Sequence, residues 1–254
     1  MSKLTFLGTG TSVGVPMLGC NCPVCTSNDA RDARLRCSAL LEGSDMRILL
    51  DCGPDFRQQA LRHRITRLDA ILLTHEHYDH VGGLDDVRPL GDTHLYGEER
   101  VMEAVRRVMP YCFGPNKYPG SPTVSLHPIT AGQPFELGEA LFPLQVMPLL
   151  VKHGRLDILG YRLGDFAYIT DASALPKETI DALRGVKVLV LNALQLPTHP
   201  AHFSLAESIE VAKEIGARDT YFTHFSHKIG LHAETDASLP EGMHLAYDNL
   251  TIEW

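Results

Sequence analysis

The chain has 254 residues, of which 44% are hydrophobic and 21% charged, enough apolar material for the core of one large soluble domain. Its formal net charge of -8 argues against a broad electrostatic grip on nucleic acid, while leaving room for a local basic pocket. No apolar stretch reaches membrane-spanning length, and MSKLTFLGTGTSVG lacks the charged-then-apolar form of a secretory leader, so one cytoplasmic domain over residues 1–254 with no membrane partner is expected.

In chain order, LTFLG opens as a strand and runs through a Gly-rich loop into GCNCPVC, residues 19–25. RILLDCG (47–53) reads as a buried strand ending at Gly53, and PDFRQQALRHR as a helix with proline at its start. LDAILLT (68–74) is a second buried strand, delivering the chain into HEHYDH. EERVMEAVRRVM (98–109) is an amphipathic helix; the Pro- and Gly-rich loop at 110–122 is either a flap over a pocket or a surface connection. Short strand-like segments fill 124–170. ALPKETIDALRG is then a helix, VKVLVLN a strand, and SLAESIEVAKEIG a helix with Ser204 as N-cap. TYFTH is a strand, and HLAYDNLTIEW reads as a closing hairpin. Strands and helices alternate irregularly, the pattern of sheets sandwiched between helices.

The chemistry concentrates in H-x-H-x-D-H, residues 75–80. In an extended segment His75 and His77 point to the same side and can share one cation, while Asp79 and His80, beyond the turn, can face a neighbouring one. Imidazoles and a carboxylate suit zinc, manganese or iron. One segment cannot close two sites, and His153, Asp171 and His224 are the strand-end candidates for the remaining ligands. Six cysteines in a chain of this length do not make a disulfide scaffold. Cys20, Cys22 and Cys25 are a redox group, free thiols, or three donors of a tetrahedral zinc site. For the last reading His227, three residues after His224, is the candidate fourth ligand. Cys37, Cys52 and Cys112 read as small buried apolar residues.

THEHYDH followed in order by His153, Asp171 and His224 resembles the metallo-β-lactamase superfamily over nearly the whole chain. The resemblance implies an α/β fold, a four-layer αββα sandwich with metals at one edge. It places His75, His77 and His153 on one metal and Asp79, His80 and His224 on the other, with Asp171 bridging. Asp51, in a D-x-G, would orient ligands without binding metal. Two such cations, roughly 3.5–4 Å apart, would activate a shared hydroxide and neutralise a bound phosphoryl oxygen. His77 stands where flavodiiron-type oxidoreductases carry Glu, and Asp171 where the true lactamases lack a bridge. The set is instead shared by phosphodiesterases, tRNA 3′-processing nucleases and glyoxalase-II-type thioesterases.

The C-x-C-x-x-C loop with the second histidine of T-H-x-S-H resembles the PhnP-type cyclic phosphodiesterases. That resemblance implies a structural zinc on Cys20, Cys22, Cys25 and His227, and two catalytic divalent ions, manganese or zinc. It also implies a small phosphodiester substrate such as 5-phosphoribosyl 1,2-cyclic phosphate, and suggests a homodimer. His202 matches the family's catalytic histidine, with His199 as runner-up and Asp79 as its companion at the reacting centre. Asn192 and Gln195, in NALQ, depart from the family's pattern at a strand end expected to border the pocket. Arg31, Arg34 and Arg36 are candidates to clamp a second phosphate or to form a solvated face. Rival readings are a tRNA 3′-processing nuclease, a thioesterase or lactonase, and a non-catalytic metal-binding module.

Overall fold

The computed structural model describes residues 2–43, 45–115, 117–138 and 143–254. The first sheet is built from β1 (Lys3–Gly8), β2 (Ser38–Gly43), β3 (Met46–Leu50), β4 (Ala70–Leu72), β5 (Asp92–Gly97) and β6 (Thr123–Pro128). The second takes β7 (Phe135–Leu137), β8 (Leu144–His153), β9 (Leu156–Leu163), β10 (Phe166–Ile169), β11 (Val188–Asn192), β12 (Asp219–Thr223) and β13 (Met243–Leu245). A last strand, β14 (Thr251–Glu253), returns to the first sheet beside β1. The helices are α1 (Phe56–His63), α2 (Tyr78–Val81), α3 (Glu99–Val108), α4 (Lys177–Leu183), α5 (Leu205–Ile215) and α6 (His232–Ala237).

The continuous apolar runs in the sequence follow from burial on both faces of each sheet. Along β3, Ile48 and Leu50 meet the opposite sheet, while Leu49 points outward to the layer that holds Phe56 of α1 and Met102 of α3. Along β11, Val188 and Val190 face inward, and Leu189 and Leu191 pack under Leu183 of α4 and Leu205 of α5. Three apolar layers thus alternate with two sheets, and the expected αββα sandwich is the one observed. No helix among the described residues is long and apolar enough to cross a membrane.

Two local expectations need correction. HLAYDNLTIEW is not a hairpin: β13 pairs in parallel with β12, and β14 pairs antiparallel with β1 in the other sheet. The Asp-Asn pair in the middle of this stretch bonds to β1 and the loop after it. The Asp248 carboxylate takes the Thr9 amide at 2.9 Å and the Thr9 hydroxyl at 2.8 Å, and the Asn249 amide donates to the Phe6 carbonyl. These bonds carry the chain across from one sheet to the other. Pro54 also precedes the helix proper: α1 begins at Phe56, and the Asp55 side chain, which could have capped it, instead binds Arg36. At 110–122, with Asn116 outside the described residues, the described contacts run to Asp85 through the Tyr111 hydroxyl and back onto the loop through Tyr118 and Ser121. They provide no support for the flap reading.

Helix α5 begins where the sequence predicts. The Ser204 hydroxyl accepts the Glu207 amide while the Glu207 carboxylate accepts the Ser204 amide, and Gly216 closes the far end with φ 72°. Ser204→Ala should remove one bond of this box and cost about 1 kcal/mol. In a domain of this size that lowers the thermal midpoint by roughly 2–4 °C. Differential scanning calorimetry checks it; an unmoved midpoint would show the cap to be idle.

Candidate metal centres

The histidine and aspartate candidates of the first centre lie at or beyond strand carboxyl ends, where α/β sheets gather their ligand sites. β3 leads into Asp51, β4 into the loop of His75 and His77, β8 ends at His153, β10 leads into Asp171 and β12 into His224. Asp51, Asp171 and His224 have φ of 58°, 56° and 62°, the left-handed region that costs a non-glycine residue roughly 1–3 kcal/mol. The strain turns each side chain off its strand's line. Gly53 has a different reason: a Cβ there would sit 2.1 Å from the Asp79 carbonyl. Only glycine allows the loop after β3 to pack against the His77–His80 turn, which explains the D-x-G spacing.

The side chains converge in overlapping groups, each with donor atoms within 4.8 Å of one another. His75, His77 and His153 form one; Asp79, His80 and His224 form another. Asp171 lies between them, with Oδ2 3.2 Å from His80 Nε2 and Oδ1 3.3 Å from His224 Nε2, and it also groups with His75. His75 Nε2 and His77 Nδ1 are 2.9 Å apart.

Outer contacts fix which nitrogen faces inward. His80 Nδ1 donates to Asp51 Oδ2 at 2.8 Å, and His153 Nδ1 to the Ala201 carbonyl at 2.7 Å. The Thr74 hydroxyl donates to Asp51, so its oxygen is left to accept His75 Nδ1 at 3.0 Å. Each contact holds a proton on Nδ1 and leaves the Nε2 lone pair pointing to the centre.

The carboxylates and imidazoles of this centre shift one another strongly. Burial pushes the Asp171 carboxyl up, but His224 and His80 outweigh it and hold it well below the usual carboxylate range. Burial alone would strip His80 of charge, yet Asp51, Asp171 and Asp79 raise it well above an ordinary imidazole. Burial, followed by the nearby His80, holds His75 well below that value. His80 Nε2 and His224 Nε2 are buried with no hydrogen-bond partner among the described atoms. Such orphaned nitrogens cost roughly 1–3 kcal/mol each, and a divalent cation satisfies them. The residues therefore fit the metals that the fold family implies.

The cysteine loop forms a second centre. Cys20, Cys22 and Cys25 Sγ lie 3.2, 3.3 and 3.5 Å from His227 Nδ1. A tetrahedron with zinc–sulfur bonds near 2.3 Å and zinc–nitrogen bonds near 2.1 Å has S···N edges of about 3.6 Å, close to the observed spacing. All three thiols are free. The Cys25 amide, the largest of several influences, draws the Cys22 thiol down to about 6. His227 opens a 3₁₀ turn, His227–Ile229, three residues beyond His224. The remaining cysteines, Cys37, Cys52 and Cys112, are buried as expected.

His202 lies against the first centre, its ring 4.6 Å from that of His153 and stacked at 5.2 Å on His224. Its Nδ1 is 3.6 Å from Asp171 Oδ1, and burial, then His224, holds the ring down to about 3. His199 is exposed one short turn away, its Nδ1 accepting the Ala201 amide. Two expectations fail. Asn192 does not border a pocket: fully buried, it brackets Ala172, accepting its amide at 2.7 Å and donating to its carbonyl at 3.1 Å, and so shapes the turn that carries Asp171. Gln195 accepts the Ser226 hydroxyl. The arginines form neither a phosphate clamp nor a solvated face. Arg31 binds Asp29 and Arg36 binds Asp55, while Arg34 is buried on Thr9, the Ala246 carbonyl and His232. Thr74 and the Ala201 carbonyl had no part in the sequence reading. A carbonyl leaves no mark in a sequence, and Thr74 reads simply as the last residue of a strand.

Residues 46–225 match the beta-lactamase superfamily domain family. A protein of Porphyromonas gingivalis named octanoyltransferase is 43% identical over 253 residues, 98% of this chain but 51% of that protein. A Bradyrhizobium ribonuclease Z is 27% identical over 85% of this chain and 62% of its own length. The chain thus spans about half to three-fifths of these two curated relatives. A crystal structure described as a new diphosphatase from the PhnP family superposes with a TM-score of 0.91 at 40% identity, covering 100% of this chain and 98% of that one. Zinc-bound PqqB from Methylobacterium extorquens shares the fold at a TM-score of 0.80 and 19% identity. With a superfamily domain over most of its length and a PhnP-family relative matched end to end, the chain belongs to the metallo-β-lactamase superfamily and its PhnP family.

Proposed function

We propose that the protein is a dinuclear phosphodiesterase acting on a small cyclic phosphodiester such as 5-phosphoribosyl 1,2-cyclic phosphate. The observation that carries this reading is the complete convergent donor set, with Asp171 between two groups of three. In this reading His75, His77 and His153 would hold one divalent ion and Asp79, His80 and His224 the other, with Asp171 available to both. Cys20, Cys22, Cys25 and His227 hold a structural zinc. Manganese or zinc in the catalytic pair, and a homodimer, belong to the same reading. When bound, the two catalytic ions bring the acidity of water into the neutral range and offset charge on phosphoryl oxygens.

The chain's own residues do the rest. The outer bonds to Asp51, Thr74 and Ala201 hold three imidazoles oriented, so no ring must reorganise during the reaction. Asp79, ionised beside His80 and His224, adds a charge at the reacting centre that faces solvent more than Asp171 does. His202 serves the leaving oxygen. Its Nδ1 is buried beside Asp171, which leaves Nε2 to face the substrate. Burial holds the ring neutral and Nδ1 makes no hydrogen bond, so the ring's one N–H, carried on Nε2, donates to the oxygen on which charge develops.

A diphosphate linkage is the second reading, favoured by the description of the 40% identical PhnP-family protein as a diphosphatase. An RNA substrate is disfavoured by the net charge of -8, since phosphate-backbone binding depends on basic residues. Phosphorus NMR of the manganese-loaded protein separates the readings. Opening of 5-phosphoribosyl 1,2-cyclic phosphate to one phosphomonoester is expected. Cleavage confined to an organic diphosphate supports the second reading, and silence on both with metals bound ends both. His202→Ala should lower kcat by about 10²–10³-fold with metal content unchanged; near-wild-type turnover would remove its role. Cys22→Ser should bind one metal ion fewer by elemental analysis while keeping the catalytic pair. An unchanged metal count would dissolve the structural site.

A further inference from the structure

Arg100 occupies the second position of α3, a poor place for a cation. The helix's N-terminal dipole disfavours positive charge there by about 0.3–1 kcal/mol. Its side chain is nonetheless fully engaged and about one-third exposed. Nη1 donates to the Glu76 carboxylate, Nη2 to the Asp157 main-chain carbonyl, and Nε to Glu98 Oε2 at 3.1 Å. The partners belong to different parts of the candidate centre. Glu76 lies between His75 and His77, and in that extended segment its side chain must point away from the face they share. Asp157 is one step past the end of the β8–β9 hairpin, where His153 pairs with Leu156, and its carboxylate takes the Lys152 ammonium at 2.6 Å. One guanidinium therefore joins the loop of His75 and His77 to the hairpin of His153.

Within this group the three imidazoles are held differently, His153 by the Ala201 carbonyl. Asp51 sets His80 directly and His75 through Thr74. The His77 ring has no such partner: among the described residues its one side-chain hydrogen-bond contact is to His75. Its place depends on where its backbone is held: on one side its carbonyl accepts the His80 amide at 2.9 Å, and on the other the adjacent Glu76 is tied to Arg100.

We propose that Arg100 is the positioning residue of the His75, His77 and His153 group, setting the distance between two separate loops and thereby the affinity for one of the two catalytic ions. This rests on the dinuclear reading above. A planar donor with several N–H groups suits three partners in different directions, as a lysine ammonium on a flexible stem does not.

The test is metal competition against chelators of graded strength, on cobalt-loaded protein and without any turnover assay. The thiolate-to-cobalt absorption of Cys20, Cys22 and Cys25 serves as internal reference. Arg100→Ala and Glu76→Gln should each weaken one ion by about 10–100-fold, the usual effect of losing an outer contact at a metal site. The other His/Asp ion and the cysteine-held ion should keep wild-type affinity. The double variant should be no worse than Arg100→Ala, because the Glu76 bond is already lost there, and Arg100→Lys should restore only part of the loss. Wild-type affinity in both single variants would overturn the proposal. So would a parallel weakening of all three ions with a lowered thermal midpoint, the signature of general destabilisation. Wild-type protein that loads only the cysteine-held ion would instead overturn the dinuclear reading, and this inference with it.

Discussion

Imidazole nitrogens and carboxylate oxygens that face one another inside a protein are stable only around something positive. Taking them from water costs several kcal/mol apiece unless a partner satisfies them. Here five imidazoles and two carboxylates meet at one edge of a sandwich, and three of the ring nitrogens, on His80 and His224, are buried without a protein partner among the described residues. The rest of the architecture makes sense as the means of holding that arrangement. Two sheets stack so that carboxyl ends of their strands meet at the same edge. Three of those ends turn through left-handed backbone to aim Asp51, Asp171 and His224, and the apolar layers on both faces of each sheet supply the rigidity that sustains the strain.

The ligands are themselves held from outside, by different chemistry on each side. Asp51, fully buried, is the common acceptor for Thr74 and His80, so one carboxylate orients two imidazoles from two elements. His153 leans on a main-chain carbonyl of the turn that also presents His202, so a ligand and the candidate catalytic ring share one support. Asn192 works one step further out, on the peptide after Asp171. The cysteine loop joins residues 20–25 to His227 on the segment that follows His224, and the Thr9 and Thr11 backbone pairs with Phe225 just beside it. The N-terminal loop thus braces the strand end that carries a metal-ligand candidate.

Much of this was legible before any coordinates. H-x-H-x-D-H is local, so its four ligand candidates could be read from spacing, and Ser204 with Glu207 carries its cap in four residues. The three cysteines announced a site but not its nature; the fourth donor came from a resemblance, because no local rule links residue 25 to residue 227. The same holds for His153, Asp171 and His224, which as isolated residues are ordinary.

The failures share a cause. The stretch around Asp248 and Asn249 looked like a hairpin, Asn192 like a pocket residue, and Arg34 like a phosphate clamp or a solvated face; each spends its polar groups on partners far away in sequence. The sequence by itself determined the alternation of strands and helices, the two-sided burial and the identity of the metal-binding chemistry, because these follow from local periodicity and donor type. Tertiary structure alone decided which nitrogen of each histidine faces the centre, which polar residues serve as supports, and how Arg100 reaches two loops at once. Those choices depend on hydrogen-bond partners tens to hundreds of residues away, which only the packed sandwich brings within 3 Å.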